Sequence, residues 1–195
     1  SDSAQSVAAL LILLEAQSQR GKLDELLASL QAHDAVVRQA PVPAAFAYWR
    51  ALALLGVGRP LDAIRVAEAC PAAPPPYEDA IRRIVARAKQ ASGDVPGALV
   101  LFAAVDKSST NVLTRADNAL EWALALERSG RPDAALDVLK AQADIGVTCA
   151  AMSDGALLRG RLLMQAGKPS EATLVFNQLA MNERASESAR VQALV

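Results

Sequence analysis

The chain has 195 residues, 52% of them Ala, Val, Ile, Leu, Met, Phe, Trp, Tyr or Cys, with 20 Lys and Arg against 21 Asp and Glu and one His. A net charge of -1 argues against a binder that needs a concentrated basic surface to neutralise phosphates. The 42 Ala and 27 Leu, set against 4% aromatic residues, favour closely approaching helices over sheets, in one or two domains of ordinary size.

The most apolar stretch comes first, Val7 to Leu14, and Glu15 closes it. It is far shorter than the roughly 20 residues that cross a bilayer, and no Lys or Arg precedes it as in a signal peptide, so it reads as core. The first residue is Ser1 and not Met, which fits a processed product, an excised fragment or an expression scar. A cytoplasmic protein fits, as does a periplasmic one whose export signal was removed.

Further along, apolar residues recur at three- and four-residue intervals over 44–57, 79–92, 116–129 and 155–166, which predicts helices there. Each stretch runs up to a turn of one pattern: a glycine, a charge, an apolar or proline residue, then a small or apolar anchor. The glycines are Gly21, Gly58, Gly93, Gly130 and Gly167, spaced 37, 35, 37 and 37 residues apart. Gly takes positive φ just past a helix end, and Pro suits the first turn of the helix that follows, so each unit reads helix, tight turn, helix. Breakers separate the units: Pro41 and Pro43; Pro71 with Pro74, Pro75 and Pro76; residues 108–111; and residues 146–148. The expected division is a single solenoid domain, 1–195, with units 4–40, 43–76, 77–111, 112–148 and 149–183 and a terminal helix over 184–195. That last helix is either a polar cap or the start of a sixth unit in a longer array.

These residues resemble the tetratricopeptide repeat (TPR) family, built of stacked helix–turn–helix units of about 34 residues. The likeness rests on the turn glycines, on Ala63, Ala98, Ala135 and Ala172 after them, on Phe102 and Phe176 in second helices, on Gly160 in a first helix and on Pro75 as a closing proline. Departures are Leu14, Ala51, Ala86 and Ala123 in place of the mid-helix glycine, Leu26 in place of the small anchor, and no closing proline at Arg38, Thr110, Val147 or Arg184. The resemblance implies an all-α fold, a right-handed α-α superhelix of about five units. Related helical-hairpin repeats share the same pattern.

No constellation for catalysis is present: no G-x-S-x-G, no H-E-x-x-H, and no glycine-rich phosphate loop at Gly21-Lys22, Gly56-Val57-Gly58 or Gly167-Lys168. Cys70, Cys149 and His33 are too few for a structural zinc site. The two cysteines stand two units apart, too far for a disulfide. Cys70 reads as a small core hydrophobe, His33 as a surface or capping residue, and Trp49 and Trp122 as core or joint residues. No enzyme, cofactor or metal is expected.

In the TPR family the first helices line a concave groove that takes a peptide. The resemblance places Glu15, Tyr48, Leu52, Arg83, Arg87, Leu120, Leu124, Glu127, Leu157, Arg161 and Met164 in that groove. Arg83 and Arg87, four apart, would present two guanidinium forks to a carboxylate, with Arg161 reaching in. Leu120, Leu124, Leu157 and Met164 would form an apolar floor. The competing reading makes the arginines solvated helix charges and the leucines packing residues. The expected function is therefore a non-catalytic scaffold that binds another protein or peptide. The alternative is a structural subunit of a larger, envelope-associated assembly, forming homo-oligomers through its ends. An RNA-binding repeat is disfavoured, because the near-periodic charges Lys22, Arg59, Asp94, Arg131 and Lys168 lie on the turns.

Overall fold

The computed structural model describes residues 2–70, 73–74, 77–143 and 149–194. Pro71, Pro75, Pro76, Val147, the breaker 146–148 and Val195 lie outside the described residues. Twelve helices and no strand occur among the described residues: α1 (Asp2–Gln19), α2 (Leu23–Ala32), α3 (Asp34–Arg38), α4 (Pro43–Gly56), α5 (Pro60–Glu68), α6 (Tyr77–Ala91), α7 (Val95–Ser108), α8 (Val112–Arg128), α9 (Pro132–Ala143), α10 (Ala150–Gln165), α11 (Pro169–Ala180) and α12 (Glu187–Gln192). They gather into two compact units, residues 1–101 and 102–195, the division falling within α7.

One turn joins α1 to α2, α4 to α5, α6 to α7, α8 to α9 and α10 to α11. The glycines at 21, 58, 93, 130 and 167 have φ between 70° and 92° and are the positive-φ residues of the described chain. Each glycine N–H donates to the carbonyl three residues back (2.9–3.2 Å), and the next residue donates to the carbonyl five back (2.8–2.9 Å). That pair of bonds closes the orphaned carbonyls of the first helix. The residue after the glycine also starts the second helix, because its carbonyl accepts the first intrahelical bond, as from Ala63 to Arg59 or Ala172 to Lys168. Pro60, Pro132 and Pro169 then occupy the first turn, where a missing N–H costs nothing.

At the third turn Asp94 caps α7 through its side chain, accepting from the Gly97 N–H at 2.9 Å. A Cβ at position 97 would run into that carboxylate, so glycine keeps the cap in place. The Lys89 ammonium, donating to Asp94 at 3.0 Å, and the Gly97 N–H hold this carboxyl below its ordinary pKa. A depressed folded-state pKa contributes stability above the unfolded value, and that contribution is lost as pH falls through the folded one.

Within each hairpin, size is matched where the helices cross. Leu14, Ala51, Ala86 and Ala123, seven residues before their glycines, are fully buried, as are Leu26, Ala63, Ala98, Ala135 and Ala172 five residues after. The first hairpin fills its crossing with leucine, and Leu10, Leu14, Leu26, Leu30 and Phe46 form one core cluster with Trp49 against it. The last does the reverse: Gly160 of α10 lies directly beneath the Phe176 ring of α11.

Two local features differ from the sequence reading. The apolar run 7–14 is one-sided: Leu10 and Leu14, four apart, enter the core, while Ile12 is 67% exposed on the opposite face. The short α3 follows a break at His33, whose ring Nδ1–H donates to the Ser29 carbonyl at 2.9 Å. Elsewhere the breakers act as joints: Pro43 opens α4, and the Asn111 side chain caps α8 by accepting from the Thr114 N–H at 3.1 Å. The terminal segment forms α12, capped by Ser186 accepting from the Ala189 N–H at 3.2 Å.

Because the Phe176 ring occupies the place of a Cβ at 160, Gly160→Ala is expected to destabilise the fold by about 1–3 kcal/mol through overpacking. Urea denaturation of the pair Gly160→Ala and Gly160→Ala/Phe176→Leu checks this, the smaller side chain recovering much of the loss.

Candidate functional site

The expected groove residues fall on first helices in both compact units. In the first unit, α4 packs beside α6. Tyr48 and Leu52 of α4 are half-buried against the cluster built on Ala51, Leu54, Ile81 and Ile84. Tyr48 also meets the Trp49 ring edge-on at a centroid distance of 5.0 Å. Arg83 and Arg87 of α6 are half-buried, and each is engaged within the protein. Glu15 stands exposed on α1, where it accepts from Gln19 at 3.4 Å.

In the second unit, α8 packs beside α10. Leu120, Leu124 and Glu127 of α8 and Leu157 of α10 are half-buried, while Arg161 and Met164 are exposed. Two of these residues meet directly. Arg161 Nη2 donates to both carboxylate oxygens of Glu127, each at 3.0 Å, a bond between residues one repeat apart. Arg161 therefore faces a carboxylate supplied by its own chain. At 56% and 25% side-chain exposure the pair is a surface ion pair of small energetic weight. Beside it Met164, 53% exposed, leaves a flexible thioether in solvent.

A second polar group lies deeper. Asn118 of α8 is fully buried, and its Nδ2 donates to the Phe102 carbonyl at 3.0 Å. Gln142 of α9, also buried, donates from Nε2 to Asp106 at 3.1 Å, and Arg115 lies 3.8 Å from the same carboxylate. Asn118 Oδ1 and Gln142 Oε1 have no hydrogen-bond partner among the described residues. Gln142 also borders a cavity of about 40 Å³ with Leu120, Leu139 and Met152, roomy enough for water. Sequence reasoning missed this network, although a signal was present. Asn118 stands twelve residues before its glycine, where the other units have Ala9, Phe46, Ile81 and Gly155, and Gln142 twelve after, where they have His33, Cys70, Val105 and Leu179.

Cys70 packs against the first unit's core and lines a cleft of about 290 Å³ with Ile81, Val85 and Leu101. Burial pushes its thiol pKa up, which disfavours the reactive thiolate. Both cysteines are free thiols. No group of His, Cys, Asp and Glu that could hold a metal occurs among the described residues, and none of the described helices is long and apolar enough to cross a membrane.

Helical hairpins with one shared turn, packed first helix beside first helix, define a divergent TPR-like helical repeat. Solved structures carry the same fold. TPR-like repeats of a kinesin light chain from Podosopora anserina align with a TM-score of 0.67 at 20% identity, over 89% of this chain and 92% of that one. MamA aligns with a TM-score of 0.61 at 15% identity, over 85% and 91%. A tetratricopeptide repeat protein from Parabacteroides merdae aligns at 0.52 and 13% identity, over 97% and 84%. No protein-family model and no curated protein matches the sequence.

The buried amide and the exposed arginine separate on stability. Asn118→Ala is expected to cost about 1–3 kcal/mol through a lost buried hydrogen bond and a small cavity. Arg161→Ala is expected to stay within about 1 kcal/mol of wild type in the same urea titration.

Proposed function

We propose that the protein is a non-catalytic scaffold that binds a peptide or partner protein along a stripe of groove residues on its first helices. The stripe comprises Tyr48, Leu52, Arg83 and Arg87 in one unit, and Leu120, Leu124, Glu127, Leu157, Arg161 and Met164 in the other. The observation that carries this reading is the surface of α8 and α10, where partly exposed leucines and the 53%-exposed Met164 adjoin the Glu127–Arg161 pair. Apolar side chains left in water beside a charge of each sign suit an amphipathic segment. Burial of the apolar part would contribute affinity and the ion pair would select orientation. The TPR-like fold supports the same conclusion, since that family presents peptides on its first helices.

The test is affinity capture from the source organism with wild type, Arg161→Glu/Met164→Glu and, as a control on a second helix, Val100→Glu, all matched in helicity. A partner held by wild type and the control but reduced about tenfold or more by the double variant supports the stripe. Equal retention by all three removes it.

A second reading, a self-associating structural subunit, is favoured by Met181 and Leu194, 81% and 72% exposed around α12. It predicts a mass in light scattering that rises with concentration and returns to the monomer value in Met181→Asp/Leu194→Asp. A monomeric mass at every concentration would count against it.

A further inference from the structure

Helix α4 has a second working face. Arg50 stands two residues from both Tyr48 and Leu52, about 200° around the helix, and Leu54 follows it one turn later. On this side α4 joins α2, α3 and α5 in lining a cleft of about 600 Å³, wholly within the first compact unit. Leu27, Leu54 and Val66 provide its apolar residues, Leu54 almost fully buried. Gln31 and six charged side chains complete it.

Their charges do not cancel. Asp34 pairs with Arg38 at 2.7 Å, and Asp62 is shared by Arg59 at 2.6 Å and Arg65 at 3.3 Å. Arg50, half-buried, has no ion-pair or hydrogen-bond partner among the described residues. Four guanidinium groups thus face two carboxylates, in a chain whose net charge is -1. A guanidinium offers five donors in a planar fork, and Asp62, divided between two arginines, leaves donors on both unused. A half-buried arginine beside leucine and valine is partly desolvated, and an incoming carboxylate meets it at an effective dielectric below that of water.

We propose that this cleft binds an acidic peptide segment of a partner protein, with a carboxylate received by Arg50 and a neighbouring aliphatic side chain laid on Leu27, Leu54 and Val66. The volume suits a few side chains. Asp34 and Asp62 on the rim disfavour a continuous phosphate backbone while leaving room for carboxylates spaced by apolar residues. This surface is separate from the stripe that includes Tyr48 and Leu52, and its occupancy does not depend on that stripe being used.

Fluorescence anisotropy with a labelled peptide of alternating Glu and Leu tests the assignment, with a Gln-for-Glu peptide, inorganic phosphate as competitor and a short oligothymidylate as further probes. Wild type is expected to bind the acidic peptide saturably and more weakly as salt rises, and the Gln peptide at least about tenfold more weakly. Arg50→Gln should weaken the acidic peptide about tenfold, and Arg50→Lys by less, because the charge remains while the fork is lost. Asp34→Asn removes a competing carboxylate and should tighten binding severalfold, an arm that stands even where Arg50→Gln alters folding. The Arg161→Glu/Met164→Glu variant should bind as wild type does, which keeps a failure here distinct from a failure of the stripe. Absence of saturable binding, indifference to both Arg50→Gln and Asp34→Asn, tighter binding of the oligothymidylate, or displacement by phosphate at equal concentration would overturn the proposal.

Discussion

Each hairpin depends on a turn in which one residue serves two helices. The glycine ends the first helix in a left-handed conformation, and the residue after it both closes that helix, by donating five residues back, and opens the next, by accepting from four residues ahead. Both sets of orphaned backbone groups are satisfied within two residues, so the second helix has almost no freedom in how it leaves the first. The crossing that follows is set by the same geometry. Residues seven before and five after the glycine are forced together and fully buried, which is why small side chains dominate there.

The exceptions at that crossing show that its volume differs between hairpins, both partners being large in the first and both small in the second. Leu14 and Leu26 fill the first hairpin, Ala51 and Ala63 occupy the second, and Gly160 makes room for Phe176 in the fifth. A small residue facing a large one keeps packing at native density in the fifth hairpin, where Gly160 meets Phe176. The polar network of the second unit is a different kind of exception. Asn118 stands where the other units have Ala9, Phe46, Ile81 and Gly155, and it and Gln142 are held by the Phe102 carbonyl and Asp106. Such bonds position the helices because a buried amide deprived of its partner is costly.

A helical repeat of this type leaves more than one kind of surface. First helices carry side chains whose apolar parts are half-covered by the core, as Leu52 is, or left in water, as Met164 is. On another side of α4, residues of α2, α3 and α5 join Arg50 in gathering more positive charge than the local aspartates neutralise. The contrast between Arg161 and Arg50 is instructive. The same residue type has a carboxylate one repeat away in the first case and none among the described residues in the second.

Local chemistry made much of this legible. A period of 35 to 37 residues, glycines followed by proline, and apolar spacing of three and four specify helix, turn and helix with little help from the rest of the chain, because turn and cap preferences act over a few residues. The burial of Ala63, Ala98, Ala135 and Ala172 was readable from the repeat alone. Tertiary structure decided what each exposed or polar side chain meets. That Arg161 faces Glu127, that Ile12 turns outward from an apolar run, that Asn118 reaches the Phe102 carbonyl and that Arg50 stands without a partner all depend on which helix faces lie together. Those pairings join residues up to 36 positions apart, as between Asp106 and Gln142, and a sequence pattern carries the spacing of such residues but not the direction of their side chains.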